Sequence, residues 1–363
     1  MRLLVSGGGT GGHVYPALSL VKYVKEVEPD SEFMYVGTER GLESSIVKHE
    51  NLPFASVDIQ GFRRKLTFEN VTTIQKFLKS IKDSKRIIKE FKPDVVVGTG
   101  GYVCAPVVYG AHKLGVPTLI HEQNSVPGVA NKFLSRYVDK IAVCFEDAIE
   151  YFPQAKVELT GNPRAQEVAG LSPNNYLADT YHLDTAKKTV LIFGGSRGAQ
   201  TMMNAVAESL AELEAKDYQT IIATGKIYYD DMIKGIELDA LKNVRILPYI
   251  DNMTDVLANT DLVVSRAGAT SIAEFTGMGL PSILIPSPNV TNDHQTKNAM
   301  SLVKVGAAEL LKDSDLSGAS LIKTIDDIMN DPNKLQQMAT EAEKIGYQDA
   351  TTHLYELLKA LQK

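Results

Sequence analysis

Short apolar segments alternate with helical patterns along almost the whole chain. Each segment has the length of one strand, and the stretches between them carry apolar residues at helical spacing. Such alternation predicts parallel strands joined by crossover helices, an α/β architecture with helices on both faces of a sheet. The expected strands are 3–5, 33–37, 95–97, 118–120, 141–143, 157–159, 190–193, 220–223, 244–247, 262–265 and 282–285.

The pattern restarts in the middle of the chain. Residues 190–193 lead into Gly194-Gly195-Ser196-Arg197-Gly198 and a helical stretch, which repeats the opening strand, glycine loop and helix. With 363 residues, the chain is also too long for one typical core. We therefore expect two doubly wound, Rossmann-like domains facing each other across a cleft. The boundaries are 1–163 and 164–345, with a C-terminal helix at about 346–363 packing back on the first domain.

The first glycine loop runs from Ser6 to His13, between a strand and a helix expected at 14–27. Free backbone N–H groups and a helix dipole make such a place suitable for an anion. His13 stands where a nucleoside-triphosphate P-loop needs lysine, which argues against nucleoside triphosphate hydrolysis. A dinucleotide fingerprint is present as Gly7, Gly9 and Gly12, with Glu39 as a ribose acid.

A third interpretation of this loop places a sugar acceptor against His13. Its imidazole can exchange a proton near neutral pH. The structural alternative is a histidine that only makes a local hydrogen bond at the start of the helix. A second glycine loop, Gly98-Thr99-Gly100-Gly101-Tyr102, also follows a strand. Three such loops in one chain indicate a phosphate-bearing substrate.

Two polar residues of the second half suit a nucleotide sugar. Glu274 lies about two turns into the helix that follows Ser265, where a carboxylate can accept two hydrogen bonds from a ribose diol. Gln295 begins a later helix, and its amide can both donate to and accept from sugar hydroxyls. The bland alternative for Glu274 is a solvated helix glutamate. The sequence has neither a Cys/His metal spacing nor an Asp-x-Asp pair, so we expect no metal.

Composition excludes some partners. The net charge of −6 argues against general binding of nucleic acid. Cys104 and Cys144 stand among apolar residues and, with no secretory signal, are expected to be buried, reduced thiols of a cytosolic protein. The longest apolar runs are strand-sized, far below the roughly 20 residues of a membrane-spanning helix.

Six motifs together resemble the MurG family of bacterial glycosyltransferases. They are 8–13, 121–124, 160–163, 194–196, 265–268 and 295–299. The family moves N-acetylglucosamine (GlcNAc) from UDP-GlcNAc to undecaprenyl-pyrophosphoryl-MurNAc-pentapeptide (lipid I), which gives lipid II in peptidoglycan synthesis. The resemblance implies a GT-B fold, inversion at the anomeric carbon and no cofactor. It also implies peripheral attachment to the inner face of the cytoplasmic membrane and contact with other cell-wall synthesis proteins.

The resemblance also implies roles for single residues. His13 is the expected base that deprotonates the acceptor, Glu274 binds ribose, and Gln295 reads the GlcNAc hydroxyls. Ile250 offers main-chain groups to uracil. The remaining expected donor contacts are Thr10, Gly11, Gly12 and Asn124 around the sugar, with Ser196 and Arg164 at phosphate.

The expected membrane face is on the first domain, at Gly61–Leu66 and the helix 68–91. Apolar residues mixed with cations suit the surface of an anionic bilayer. A core-packed helix with a basic edge is an equally good interpretation of this helix. The residues concerned are Ile74, Phe77, Leu78, Ile81, Ile87 and Ile88, among Lys76, Lys79, Lys82, Lys85, Arg86 and Lys89.

Two other classes of function compete with the transferase. An NAD-dependent oxidoreductase would use Gly7, Gly9, Gly12 and Glu39, but it explains neither the second glycine-loop half nor the segment 266–274. A non-catalytic protein that binds nucleotide sugars would keep the cleft but would have no use for His13.

Overall fold

The computed structural model describes residues 1–61, 68–195 and 199–362. The chain divides into two compact units. Unit 1 comprises Met1–Glu167 and Asp349–Lys363, and unit 2 comprises Val168–Gln348.

The sheet of unit 1 has seven strands in the order β3-β2-β1-β4-β5-β6-β7. All neighbouring strands run parallel. The strand order reverses between β1 and β4, so the carboxyl ends of these two strands border the crevice where such sheets bind ligands. The strands are β1 Arg2–Gly7, β2 Glu32–Gly37, β3 Phe54–Ser56, β4 Val95–Gly100, β5 Thr118–Glu122, β6 Lys140–Val143 and β7 Val157–Leu159.

Helices cover this sheet. They are α1 Gly11–Val27, α2 Leu42–His49, α3 Phe68–Phe91, α4 Cys104–His112, α5 Val129–Leu134, α6 Pro163–Val168 and the C-terminal helix Ala350–Leu361, with a 3-10 turn at Glu146–Tyr151. Helix α1 buries Val14, Leu20, Val21 and Val24 on one face. It begins at Gly11, three residues before the expected start, because Gly11 to His13 form its first turn directly after the extended Thr10.

The C-terminal helix packs in the same apolar core as β1 and α1, through Leu354 and Leu358. A polar cluster around Glu28 holds its outer side. The Glu28 carboxylate accepts hydrogen bonds from Lys359 Nζ at 2.6 Å, Tyr355 Oη at 2.8 Å and the terminal amine at 3.2 Å. These donors lower the pKa of Glu28 to about 2, and the hydrogen bond from Lys359 has the largest effect.

The sheet of unit 2 has six parallel strands in the order β10-β9-β8-β11-β12-β13, which reverses between β8 and β11. The strands are β8 Thr189–Phe193, β9 Gln219–Ala223, β10 Val244–Leu247, β11 Leu262–Ser265, β12 Ser282–Leu284 and β13 Ala308–Leu310. The helices are α7 Tyr176–Tyr181, α8 Gln200–Glu214, α9 Lys226–Ile233, α10 Met253–Ala258, α11 Ala269–Gly277, α12 His294–Val303, α13 Gly318–Met329 and α14 Pro332–Lys344, with 3-10 turns at Leu238–Ala240, Thr291–Asp293 and Asp313–Asp315.

The two parallel α/β sheets confirm the predicted fold class, and all eleven expected strands are present. The sequence prediction missed β3 and β13. Both are three-residue strands at a sheet edge. So short a segment carries no apolar periodicity that could separate it from a loop.

Two smaller expectations concern the cysteines and the apolar segments. Cys104 and Cys144 are buried free thiols, as predicted. Burial raises the pKa of Cys104 to about 12 and that of Cys144 well above its ordinary value. Among the described residues, no helix has the length and apolar character that a transmembrane span needs.

Candidate active site

The first and second glycine loops, residues 6–13 and 98–102, contact each other at the carboxyl ends of β1 and β4. The Gly8 N–H donates to the Gly100 carbonyl at 3.3 Å. The Thr99 hydroxyl donates to the carbonyl of His13 at 2.6 Å. The loops therefore form one hydrogen-bonded structure at the switch point of unit 1.

Two residues of the second loop must be glycine because protein atoms lie against them. Gly100 has a φ of +110°, and a Cβ there would stand 2.7 Å from His13 Cδ2 and 3.0 Å from its Nε2. Gly101 has a φ of +83°, and its Cβ would stand 2.3 Å from the Gly8 carbonyl oxygen. The second loop thus packs directly against the imidazole ring of His13.

His13 lies in the first turn of α1 and is half-buried. Its Nδ1 is 2.8 Å from the Gly8 carbonyl oxygen and 3.4 Å from Thr10 Oγ1. A carbonyl oxygen only accepts, so the neutral ring carries its proton on Nδ1. The lone pair is then on Nε2, which suits a base. The local hydrogen bond expected by the structural alternative is present, and it leaves this role possible.

The Cys104 thiol forms hydrogen bonds with both glycine loops. Its thiol lies 2.7 Å from the Ser6 carbonyl oxygen and 2.9 Å from that of Gly100, and its sulfur accepts from the Gly100 N–H at 3.1 Å. The sequence identified Cys104 only as a buried thiol. Its position opposite the loops follows from the pairing of β1 with β4.

Glu43 is a residue of this site that the sequence reasoning missed. It is fully buried in the first turn of α2, and its Oε2 accepts from the Gly9 N–H at 3.1 Å. A glutamate in the first turn of a helix is a common dipole partner, so nothing in the sequence marks Glu43 as part of the site. By contrast Glu39, the ribose acid of the dinucleotide interpretation, is exposed and pairs with Lys48 Nζ at 3.1 Å.

Asn124 follows β5 and is held by the buried Glu122. Its backbone N–H and its Nδ2 donate to Glu122 Oε1 at 3.0 and 3.2 Å. The preceding His121 is buried, and burial lowers its pKa. Its Nε2 donates to the Gly161 carbonyl at 3.0 Å while its Nδ1 accepts from Gln123 Nε2 at 2.8 Å, so this histidine holds loops together as a neutral ring.

Arg164 lies in α6 of unit 1. Its guanidinium forms an ion pair with Glu167 and lies 5.8 Å from the centre of the Tyr15 ring. The predicted phosphate contact of Arg164 stays a prediction. Ser196, the other predicted phosphate ligand, lies outside the described residues.

In unit 2, Glu274 and Gln295 lie on helices that follow two neighbouring strands. Glu274 is half-buried in α11, which follows β11, and Gln295 is in α12, which follows the adjacent β12. Gln295 Oε1 accepts from the Ser287 N–H at 2.8 Å. The Nε2 of the same amide can then donate to a ligand. Asn298 Nδ2 donates to the Ala267 carbonyl at 3.2 Å and so ties α12 to the loop before α11.

Ile250 is 3% exposed and follows β10, next to a Tyr249 that is 60% exposed. Its buried side chain is consistent with a role played by main-chain groups. The structure thus places Thr10, Gly11, Gly12 and His13 together in unit 1. In unit 2, Glu274 and Gln295 lie on helices that follow two adjacent strands.

Arg266 is a further residue whose role the sequence did not reveal. It is 9% exposed and follows β11. Its Nη1 donates to Asp313 Oδ1 at 2.5 Å and to the Ile285 carbonyl at 3.2 Å, and its Nη2 donates to Thr201 Oγ1 at 3.0 Å. Arg266 thereby connects the ends of β11 and β12 to α8.

Each unit matches a known domain family. The glycosyltransferase family 28 N-terminal domain matches residues 3–143, and the family 28 C-terminal domain matches residues 189–354. A relative from Bacillus cytotoxicus is 54% identical over 365 residues, which covers 100% of each chain. Its name is UDP-N-acetylglucosamine--N-acetylmuramyl-(pentapeptide) pyrophosphoryl-undecaprenol N-acetylglucosamine transferase.

The chain belongs to glycosyltransferase family 28. The crystal structure of Acinetobacter baumannii MurG has a TM-score of 0.78 with 29% identity and 99% coverage of both chains. This confirms the MurG resemblance and the GT-B fold. S. aureus MnaA, solved with UDP, has a TM-score of 0.72 at 17% identity, covering 99% of this chain and 96% of the other. That likeness shows the fold alone. Family 28 membership favours the transferase over the oxidoreductase and binding-protein hypotheses.

Proposed function

We propose that this family 28 chain transfers GlcNAc from UDP-GlcNAc to the MurNAc 4-hydroxyl of undecaprenyl-pyrophosphoryl-MurNAc-pentapeptide, turning lipid I into lipid II. The observation that carries the proposal is the 54% identity, over the full length of both chains, to a relative named for that reaction. The position of His13, with its lone pair on Nε2, also supports the same reaction, because that atom can accept the proton of the acceptor hydroxyl.

The proposed reaction is one direct displacement. The MurNAc 4-hydroxyl oxygen forms a bond to the anomeric carbon from the face opposite UDP, while the bond from that carbon to the UDP oxygen breaks. The hydroxyl proton passes to His13 Nε2, which carries the lone pair because Nδ1 donates to the Gly8 carbonyl at 2.8 Å. A single such step inverts the configuration from α to β.

The donor is assigned to unit 2. Glu274 accepts hydrogen bonds from the ribose diol, Gln295 Nε2 donates to GlcNAc hydroxyls, and main-chain groups at Ile250 bind uracil. Negative charge grows on UDP as it leaves, and a helix N-terminus at the loop after β8 stabilises such charge. Thr10, Gly11, Gly12 and Asn124 stay predicted contacts of the donor sugar.

Attachment to a membrane surface is assigned to α3 of unit 1. Ile74 and Leu78 are 50% and 61% exposed, whereas Ile87 and Ile88 are buried in the core of the unit. A surface groove beside Leu78 is also bordered by one acidic residue, Glu90, and by four cations of the same helix, Lys82, Lys85, Arg86 and Lys89. The exposed apolar residues therefore lie in the first half of α3. The second half buries Ile87 and Ile88 on one side and carries the cations of the groove on the other.

Transfer can be tested with labelled UDP-GlcNAc and a short-tailed lipid I analogue. We expect a labelled disaccharide product that requires both substrates. Binding of UDP-GlcNAc with no product would favour a non-catalytic nucleotide-sugar binding protein and overturn the proposal.

Membrane attachment needs a separate experiment, in which sedimentation with anionic vesicles is measured for Ile74→Ser/Leu78→Ser and for Arg63→Glu/Arg64→Glu/Lys65→Glu. The second variant tests the expected patch at residues 61–66, of which 62–66 lie outside the described residues. We expect weaker sedimentation and unchanged transfer to the short-tailed acceptor. Unchanged sedimentation of both variants would place the membrane contact elsewhere.

A further inference from the structure

The buried side chain of Glu43 fills a space between three glycines. A Cβ at Gly8, Gly37 or Gly41 would stand 2.7, 2.6 or 2.2 Å from atoms of this side chain. Glu43 itself is 0% exposed. The glycines at these positions therefore make room for one specific carboxyl group, beside the loop that carries His13.

The hydrogen bonds of Glu43 come from donors only. Its Oε1 accepts from the Thr38 N–H at 3.0 Å and from Thr38 Oγ1 at 2.6 Å, and its Oε2 accepts from the Gly9 N–H at 3.1 Å. Three donors match the ionised form of a carboxyl group. The amino-terminal end of α2, where Glu43 stands, favours the same negative charge.

The peptide group between Gly8 and Gly9 connects this carboxylate to the imidazole. The N–H of that peptide donates to Glu43 Oε2 at 3.1 Å, and its carbonyl accepts from His13 Nδ1 at 2.8 Å. Carboxylate, peptide and imidazole thus form one continuous chain of hydrogen bonds. Groups in such a chain polarise one another, and each strengthens the next bond.

We propose that Glu43 is a positioning residue that acts on His13 through the Gly8–Gly9 peptide. It keeps the ring proton on Nδ1 and favours the positive charge that the ring acquires when Nε2 takes the proton of the acceptor hydroxyl. Glu43 stays a carboxylate throughout, and the proton stays on the imidazole. The inference rests on the proposed function, since it uses His13 as the base.

Two titratable side chains lie close to this carboxylate, and both are neutral. Tyr35 donates to the Gly7 carbonyl at 2.9 Å, and burial raises its pKa well above the ordinary value. Burial likewise raises the pKa of Cys104 to about 12. The charge of Glu43 adds to both shifts, more weakly than burial. Neither group therefore brings a second negative charge to the chain of hydrogen bonds.

Other titratable groups border the loop from its outer side. The Tyr102 ring lies 3.7 Å from the position of a Cβ at Gly9. Tyr15 of α1 lies beneath the Arg164 guanidinium, whose charge is paired with Glu167. In the chain that ends on His13 Nδ1, Glu43 supplies the negative charge.

The test is Glu43→Gln in the full chain. The amide keeps the size of the side chain but replaces one acceptor oxygen with a donor, so the Gly9 N–H and the Thr38 donors cannot all be satisfied. We expect kcat to fall about 10- to 100-fold, the range found when partners that orient metal-ligating histidines are removed. Removing a negative charge disfavours the imidazolium, so the acid limb of the kcat/KM profile for the acceptor should move to lower pH.

Val47→Ala is the matched control. Val47 is on the same helix and is also 0% exposed, and it packs in the apolar core of unit 1. This variant should lose stability but keep kcat and the position of the acid limb at a temperature where both variants are folded. If it loses as much kcat as Glu43→Gln, or if the acid limb of Glu43→Gln does not move, Glu43 has a structural role only.

A measurement without substrate separates this inference from the proposed function. In the wild-type chain with 15N-labelled histidine, the NMR shifts of neutral His13 should show the proton on Nδ1, and the pKa of His13 should fall in Glu43→Gln. A proton on Nε2 in the wild type would overturn the inference, even if Glu43→Gln fails to fold. Absence of sugar transfer by the wild type would instead overturn the proposed function and leave this result standing.

Discussion

The glycine loops of the two units are alike in sequence and different in their surroundings. In unit 1, a Cβ at Gly7, Gly8, Gly100 or Gly101 would come within 2.1 to 2.7 Å of another protein atom. In unit 2, a Cβ at Gly195 would meet no atom of the described residues within 4 Å. Gly194 is the packed exception, with Ala199 Cβ 2.0 Å away.

Glycine therefore serves two purposes in these loops. The unit 1 glycines let protein groups approach each other, and the result is a fixed imidazole with a defined tautomer. The Gly9 N–H of that loop is already occupied by the Glu43 carboxylate. The open Gly195 of unit 2 leaves space beside a backbone N–H group, as a bound phosphate requires. We infer that the first loop positions a catalytic side chain and the third receives the ligand.

The largest expected effect comes from removing the imidazole that the unit 1 loops hold. His13→Ala should lower kcat roughly 10²–10⁴-fold, the usual contribution of a general base, with UDP affinity nearly intact. Steady-state kinetics and calorimetry with UDP measure the two quantities. His49→Ala, on an exposed side chain of unit 1, is the control and should change neither. Near-normal turnover of His13→Ala would reduce His13 to a structural role, and a loss confined to the acceptor KM would make it a binding residue.

The packed and open glycines can be compared directly by adding one methyl group to each. Gly101→Ala combines a left-handed φ of +83° with a clash against the Gly8 carbonyl, and should lower the free energy of unfolding by about 2–5 kcal/mol. Gly195→Ala has only the strain of its φ of +72°, about 1–2 kcal/mol.

Calorimetric melting measures these losses, and UDP titration measures binding. Gly195→Ala should weaken UDP binding, whereas Gly101→Ala should leave the affinity of its folded fraction unchanged. Equal losses of stability, together with unchanged UDP binding of Gly195→Ala, would remove the distinction between the two loops.

This distinction also marks the limit of what the sequence could predict. Central strands such as β1 and β11 were found because buried parallel strands are continuous apolar runs. The glycine loops were found because they follow such strands. Whether a loop is filled or open depends on distant residues. Glu43 contacts the first loop from α2 and Thr99 contacts it from β4, and no local pattern in residues 6–13 indicates them.

The ligand side of the comparison depends on Glu274. Glu274→Ala should raise the donor KM and weaken UDP binding by about 1–3 kcal/mol, the range for a hydrogen bond to a charged group. Titration calorimetry with UDP measures it directly. Glu212→Ala, an exposed glutamate of α8 in the same unit, is the control and should bind UDP normally. Unchanged affinity of Glu274→Ala would contradict the ribose assignment.

The smallest expected effect separates the ion clusters of the two units. The pKa of Glu28 in unit 1 is lowered to about 2 from an ordinary 4.5. A carboxylate with a lowered pKa stabilises the fold above its unfolded pKa, so this contribution is complete above about pH 4.5 and is lost as the pH falls towards 2. Solvent screening limits it to about 1 kcal/mol.

Glu28→Gln should therefore lower the melting temperature at pH 7, and its difference from the wild type should shrink as the pH falls below 4.5. Asp327→Asn in unit 2 removes an exposed pair with Lys323 and should leave the melting temperature unchanged. A pH-independent loss in Glu28→Gln would mean that the side chain stabilises the C-terminal helix by packing and not by its charge.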